Sequence, residues 1–502
     1  MIMGSQVLPN WLKQRTRLTP ERTAVQTEQT ELSFFELENR VAKLAHVLYK
    51  KGVTKGTRVA LLQGNTLDLI ITLHALMYLE AITIPLNIRL TPNELSWQIK
   101  DCQASILLYD DLHAPVQSSL KTNLGADHFA AITTLMEEAR FAPPYSAHDE
   151  FDLDALHTII YTSGTTGHPK GVQLNYGNHW WSAVGSMLNL GLSSTDHWLC
   201  VVPLFHVSGL SILMKSVIYG MKMSLIEKFS ADRVNHYIQS QGVTHISVVT
   251  TMLQALVEES GGTTYPETFR CMLLGGGPVP LSLLNKCKEK DIPVFQTYGL
   301  SETASQIVTL APEYMLSKLG SAGRPLFPAQ IKIVKEGEVL GPNQEGEILV
   351  KGPNVTRGYD HRPDATREAI KDGWLQTGDM GRLDEDGFLF VLDRRKDMIV
   401  SGGENIYPAE IESVLSAHPD VLEAGVIGRD DAQWGKVPVA FVVLRSGLEF
   451  EPEKLLSHCR EHLARYKVPR LLVKLEHLPR NASRKLLRRE LAVHLPTDLD
   501  ED

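Results

Sequence analysis

The sequence predicts an α/β protein: a large amino-terminal domain of doubly wound sheets with a strand-rich, β-barrel-like subdomain, followed by a small mobile α+β domain. Three observations predict it. Short apolar runs of strand length alternate with helix-period stretches from the start through PVFQTYG (293–299), the grammar of parallel sheets covered by helices. Those runs repeatedly end in Gly, Pro or Ser/Thr loops, and in such folds ligands sit where strands end. From about residue 320 the texture changes to short strands and turns, and near residue 396 a separate mixed module begins.

Taken in order, Ser33 to Glu36 fits a capping box ahead of the helical period of ELENRVAKLAHVLYKKG, and RVALLQ follows as a buried strand. LDLIITLHALMYLEA reads as a helix, then AITIPLN and SILLYD (105–110) as strands. LHTIIY, HWLCVVP, THISVV, CMLLGGG and PVFQTYG continue the strand series, with LSILMKSVIYG (210–220) as a helix among them. AQIKIV, GEILVKG, GWLQTGDMG and GFLFVLD are the short strands of the 320–395 subdomain. The last module holds a helix (AEIESVLSAH), strands (VLEAGVIG, VPVAFVVL), a second helix (EKLLSHCREHLARY) and a closing loop with a basic helix, RNASRKLLRREL. The expected domains are 1–395 and 396–502, joined at Asp393, Arg394, Arg395 and Lys396, a short charged joint suited to a hinge.

With 502 residues, 43% hydrophobic and 22% charged, the chain has room for two or three cores and an ordinary globular composition. A net charge of −9 argues against nucleic acid as the main partner. The five cysteines are scattered without metal-ligand or CxxC spacing, so they read as small buried hydrophobes of a reducing compartment. No run of about 18 uncharged apolar residues and no signal-peptide pattern stands in the sequence, so no membrane insertion and a cytoplasmic location are expected. The oligomeric state stays open, a homo-oligomer included.

The strongest chemical signal is YTSGTTGHPKGV (161–172), where a strand delivers the chain into glycines, hydroxyls and one lysine. Glycines let successive N–H groups point inward, while Thr162, Ser163, Thr165, Thr166 and Lys170 add donors and charge around Gly164 and Gly167, which suits a polyphosphate. The spacing is not that of the GxxxxGK[ST] loop. A second signal is Lys215, the one charge in LSILMKSVIYG, sharing a helical face with Ser211, Ile212, Ile218 and Tyr219. It must snorkel to water, meet a distant acid, or meet an anionic ligand.

These motifs are similar to those of the adenylate-forming superfamily of acyl-CoA synthetases, luciferases and peptide-synthetase adenylation domains. The phosphate loop matches, and TYGLSET (297–303), TGD (377–379), DRRKDMIVSGGENIYP (393–408) and LPRNASRKLLRRE (478–490) follow in the family's order. The resemblance implies ATP and coenzyme A as co-substrates, Mg2+ as cofactor and a small-molecule carboxylate as the group activated. It places Tyr298 on adenine, Glu302 and Thr166 at magnesium, Asp379 on the ribose, Arg394 on ribose or phosphate, and Gly275, Gly276, Thr297, Gly299 and Thr303 around ATP. Lys396 becomes the hinge, Gly402 and Gly403 line the coenzyme A channel, and Lys485 is the catalytic lysine, preceded by Arg484 where the family usually has Gly. Lys170, His206 and Arg394 complete the implied catalytic set. The acyl group is expected near PLFHVSG (203–209) and LLGGGPVP (273–280), beside His206, Lys215, Gly276, Gly277, Ser305 and Gln306.

Some of these readings stay open. His206 orients the carboxylate or merely packs; Ser305 and Gln306 contact substrate or are polar residues at a helix start. An apolar acyl pocket has no use for Lys215, so the lysine argues for a substrate with a second negative charge. The alternatives are another aryl- or acyl-CoA ligase, acting on a coumarate-like or medium-chain acid, or a stand-alone adenylation domain that loads a carrier protein.

Overall fold

The computed structural model describes residues 6–120, 124–125, 128–162, 169–275, 279, 281–394, 399–406, 408–479, 486 and 488–496. The chain divides into two compact units: Met1–Ile88, Ile99–Tyr161 and Gly171–Asp393 form one, and Arg89–Gln98, Thr162–Lys170 and Arg394–Asp502 the other.

The first large sheet contains β1 (Arg58–Leu62), β2 (Ile82–Pro85), β3 (Ile106–Tyr109), β4 (Leu156–Thr162) and β5 (Lys170–Asn175), in the order β5-β4-β2-β1-β3, with Phe129–Ala131 at the edge beyond β3. Val59 to Leu62 in β1 are apolar on both faces because parallel strands covered by helices leave neither face to water. Helix α1 (Phe34–Lys50) starts at the predicted capping box: the Glu36 amide donates to Ser33 Oγ at 3.2 Å and the Ser33 amide to Glu36 Oε2 at 2.8 Å. Helix α2 (Leu67–Tyr78) is buried along nearly its whole length, as its unbroken apolar run requires.

The second sheet has nine strands. Its functional half contains β6 (His197–Cys200), β7 (His245–Val249), β8 (Cys271–Gly275), β9 (Val294–Leu300) and β10 (Ser305–Leu310), in the order β10-β9-β8-β7-β6. β6 to β9 run parallel and β10 returns antiparallel to β9. Parallel register aligns Trp198 with His245 and His245 with Cys271, so these three side chains share one face. Helix α3 (Tyr176–Leu190) and helix α4 (Val207–Tyr219) belong to the same unit, and α4 is the expected LSILMKSVIYG helix, ended by Gly220 in the left-handed conformation.

The reading of Ser305 and Gln306 as a helix start is overturned. They open β10: a single 3-10 turn, Ser301–Thr303, is followed by Ala304 and Ser305 at φ of 52° and 108°, which turn the chain back. The β-branched run Ile307, Val308, Thr309 then keeps it extended.

The strand-rich segment is a six-stranded sheet in which Gln330–Lys335, Gly346–Lys351 and β11 (Trp374–Leu383) form the middle, antiparallel to one another. In the second unit, Gly435–Leu444 pairs with Val421–Asp431 on one side and with Ile399–Ser401 and Leu471–Lys474 on the other, and helices α5 (Pro408–Ala417) and α6 (Pro452–His462) share its core through Ile411, Leu415, Leu455 and Cys459. Of the expected closing helix, Arg488–Leu491 is helical, and residues 480–485 and 487 lie outside the described residues. Among the described residues no helix is long and apolar enough to cross a membrane.

Candidate functional site

In the first unit the predicted nucleotide residues meet one another. Strand β9 carries Tyr298 and β11 carries Asp379, and the buried Tyr298 hydroxyl donates to Asp379 Oδ2 at 2.6 Å. Asp379 is aimed by its own turn: its amide donates to Thr377 Oγ1 at 3.1 Å, and the Gly378 amide donates to Glu347 Oε1 at 3.0 Å. A carboxylate fixed beside an aromatic ring is the arrangement that a ribose and its base require.

One residue beyond Tyr298 the strand bulges. A Cβ on Gly299 would lie 2.0 Å from the Ser305 carbonyl oxygen, so only glycine lets β9 and β10 approach there. This places Glu302 at the tip of the hairpin. Its Oε1 accepts from the Tyr359 hydroxyl at 2.9 Å, and its carbonyl accepts from the Thr356 amide at 2.7 Å. An anionic oxygen donor held this way fits Mg2+, a hard ion that takes few protein ligands and shares its shell with phosphates. Thr303 and Thr297 act mainly on the fold: Thr297 Oγ1 donates to the Val308 carbonyl at 2.8 Å, and buried Thr303 Oγ1 accepts from the Leu300 amide at 2.8 Å. Gly275 ends β8 with Thr297 as its neighbour.

The residues expected around the acyl group lie along α4 and the start of β10. His206 is the residue before the first turn of α4, with its ring 4.6 Å from that of Phe205. Gly209 lets the helix press on the preceding loop, since a Cβ there would lie 2.2 Å from the Pro203 carbonyl oxygen. Ser211 Oγ lies 3.3 Å from Ser305 Oγ, joining helix and strand. One turn further, Lys215 is 1% exposed and its Nζ has no hydrogen-bond partner; it lies 5.0 Å from the centre of the Trp198 ring. Burial pulls its pKa down to about 8. Gln306 is equally buried, and neither amide atom of its side chain has a partner. Of the three fates open to Lys215, snorkelling and a protein acid are both excluded among the described residues.

In the second unit, Thr162 ends β4 and Lys170 opens β5, with Thr162 Oγ1 3.5 Å from the Lys170 carbonyl. Gly402 and Gly403, at φ of 55° and 85°, make the two-residue turn between Ser401 and Glu404. The Gly402 amide donates to the Trp434 carbonyl at 2.9 Å, and the indole lies so close that a Cβ on Gly402 would be 2.7 Å from it. Buried Lys467 holds Glu410 at 2.7 Å and Glu94 at 3.0 Å; burial opposes its charge, but the two carboxylates outweigh burial and raise its pKa. Arg394 ends the strand Leu389–Arg394. Ser163, Gly164, Thr165, Thr166, Gly167, Gly276, Gly277, Lys396 and Lys485 lie outside the described residues.

Sequence reasoning passed over Tyr359, Trp198, Trp434 and Lys467. Each acts through a partner distant in the chain, and only the Trp434 indole, exposed beside an Asp/Gly-rich turn, left a signal that a sequence offers.

A buried tyrosine hydrogen-bonded to an aspartate, and a glutamate held at a hairpin tip, fit a protein that binds a nucleotide and its metal ion. The family model described as AMP-binding enzyme matches residues 12–360, and that of its C-terminal domain matches 410–485; the chain belongs to this family. A curated relative from Bacillus cytotoxicus, a 2-succinylbenzoate–CoA ligase, is 54% identical over 97% of this chain and 98% of its own. The solved o-succinylbenzoate CoA synthetase of Bacillus subtilis, a double mutant bound with a product analogue, is 47% identical with a TM-score of 0.92, covering 97% of this chain and 98% of that one. The same Bacillus subtilis enzyme in complex with ATP and magnesium ion is 47% identical with a TM-score of 0.75, covering 97% of this chain and 100% of the other.

Proposed function

We infer that the chain is an AMP-forming acid–thiol ligase that activates 2-succinylbenzoate with ATP and transfers it to coenzyme A, a step of menaquinone biosynthesis. The products are 2-succinylbenzoyl-CoA, AMP and pyrophosphate. The observation that carries the substrate is Lys215, a buried lysine without a hydrogen-bond partner, in a chain whose relatives are named for a dicarboxylate.

In the first half-reaction a substrate carboxylate oxygen attacks the α-phosphorus, the bond to the bridging oxygen breaks, and pyrophosphate leaves. Tyr298 and Asp379 hold the nucleoside; Thr162 to Gly167, with Lys170, hold the phosphates, and Arg394 binds ribose or phosphate. Mg2+, when bound, neutralises phosphate charge, and Glu302 with Thr166 would hold it. Lys485 offsets the charge that builds up at the reacting carboxylate and α-phosphate. In the second, the coenzyme A sulfur attacks the acyl carbon and AMP leaves, with the Gly402–Gly403 turn at the thiol channel and Lys396 as the hinge between the two states. Lys215 takes the carboxylate that does not react, directly or through water. Ser305 and Gln306, with His206, Gly276 and Gly277, complete the acyl site. The reaction uses small molecules, and we place it in the cytoplasm.

Incubation with MgATP, coenzyme A and a mixture of carboxylic acids, followed by mass spectrometry, tests the assignment. 2-Succinylbenzoyl-CoA should be the dominant thioester and AMP the nucleotide product. Equal turnover of fatty or monocarboxylic aryl acids, or release of ADP, would overturn it.

A further inference from the structure

We propose that His458, Glu461 and His462 on α6 form a binding site for one divalent transition-metal ion of the Zn2+ class, independent of the Mg2+ chemistry of the nucleotide site. One donor atom from each of the three lies within 4.8 Å of the others. Donors around a tetrahedral zinc are about 3.4 Å apart, from metal–ligand lengths near 2.1 Å, and a torsion change of exposed Glu461 narrows that difference.

The hydrogen bonds preset the rings. His458 Nε2 lies 3.1 Å from the Val414 carbonyl and His462 Nδ1 lies 2.8 Å from the His458 carbonyl. A carbonyl only accepts, so both of those nitrogens carry the proton, and each neutral ring offers its other nitrogen as a lone pair. A backbone carbonyl behind a ligating imidazole is the usual support of a metal-bound histidine. The neighbouring His418 contributes a wall and no ligand: its ring meets His458 edge-on at 5.1 Å, and its Nδ1 accepts from the Asp420 amide.

The ion class follows from the donors. Two imidazoles and a carboxylate suit zinc, nickel, cobalt or copper, whereas Mg2+ and Ca2+ prefer oxygen alone. The site is at the last turn of an eleven-residue helix, where the carbonyl end of the helix dipole favours a cation. In sequence it is His-Cys-Arg-Glu-His, the H-x-x-E-H pattern of inverted zinc sites, in which the glutamate serves as a base. Here Glu461 belongs to the donor cluster itself, so the geometry points to a held ion and not to a hydrolytic centre. The Asn93 side chain donates to the Glu461 carbonyl at 3.2 Å in the same unit, so a bound ion tightens a helix end that another segment already grips.

The test uses the full chain without a histidine tag, stripped with chelator. Zn2+ is titrated against a chromophoric indicator with excess Mg2+ present, and Co2+ is added separately to read its visible bands. One Zn2+ per chain is expected, with a rise in melting temperature. Glu461→Gln, at an exposed position that leaves the fold intact, should weaken binding about tenfold and His462→Gln about a hundredfold or more. Absence of saturable Zn2+ binding, or undiminished binding by the Glu461→Gln and His462→Gln chains, would overturn the proposal.

Discussion

Lys215 is the residue whose environment makes the strongest demand. A buried ammonium without a hydrogen-bond partner destabilises the ligand-free chain and favours any anion that reaches it. Lys215→Met keeps the volume and removes the charge. It should lower kcat/KM for 2-succinylbenzoate by about ten- to a hundredfold, the worth of a charged hydrogen bond, while leaving the KM for ATP unchanged. The same residue sets a pH dependence. Its pKa in the fold, about 8, lies below its value in the unfolded chain. Between those values the unfolded chain holds a proton that the fold has released, so ligand-free stability rises with pH across that window and falls again as pH drops to 8. Relative to Lys215→Met, the parent chain should gain of order 3 kcal/mol from pH 8 to above pH 10, read by chemical denaturation. A parallel pH profile for both proteins would mean that Lys215 finds a partner in solution.

At the scale of elements, the β9–β10 hairpin decides where Tyr298 and Glu302 point. Gly299→Ala forces the two strands apart at the bulge, because the Ser305 carbonyl oxygen is backbone and has no rotamer to adopt. It should cost about 3 kcal/mol or more and raise the KM for ATP, measured by denaturation and steady-state kinetics; an unchanged denaturation midpoint would show that the hairpin relaxes. The same hairpin marks how far a sequence can be read. Helix α4 was legible because its apolar period and the Gly220 stop are local. The turn at Ala304 and Ser305 was not, since two non-glycine residues at positive φ are held by packing from β9 and by Ser211 of α4. Likewise Glu302 and Asp379 could be named from their motifs, but the Tyr359 and Tyr298 hydroxyls that orient them come from partners far along the chain.

For the whole molecule, the division into two units separates tasks. The unit that holds Tyr298, Asp379 and Glu302 binds the nucleoside end of ATP in the proposed reaction, whereas the other contains both the 480–485 segment that leads to Lys485 and the Gly402–Gly403 turn. If the same small unit serves adenylation through Lys485 and thioester formation through its glycine turn, removing the lysine affects only one of them. Lys485→Ala should reduce acyl-adenylate formation by about a hundredfold or more, the scale of losing one fixed transition-state charge. Thioester formation from supplied acyl-adenylate and coenzyme A should survive at near the parent rate, because that step needs no charge at the α-phosphate beyond what the nucleotide unit provides. Rapid-quench assays of each half-reaction separate the two. Equal losses in both would mean that Lys485 holds the unit together instead of acting on the carboxylate, and the division of labour would fail with it.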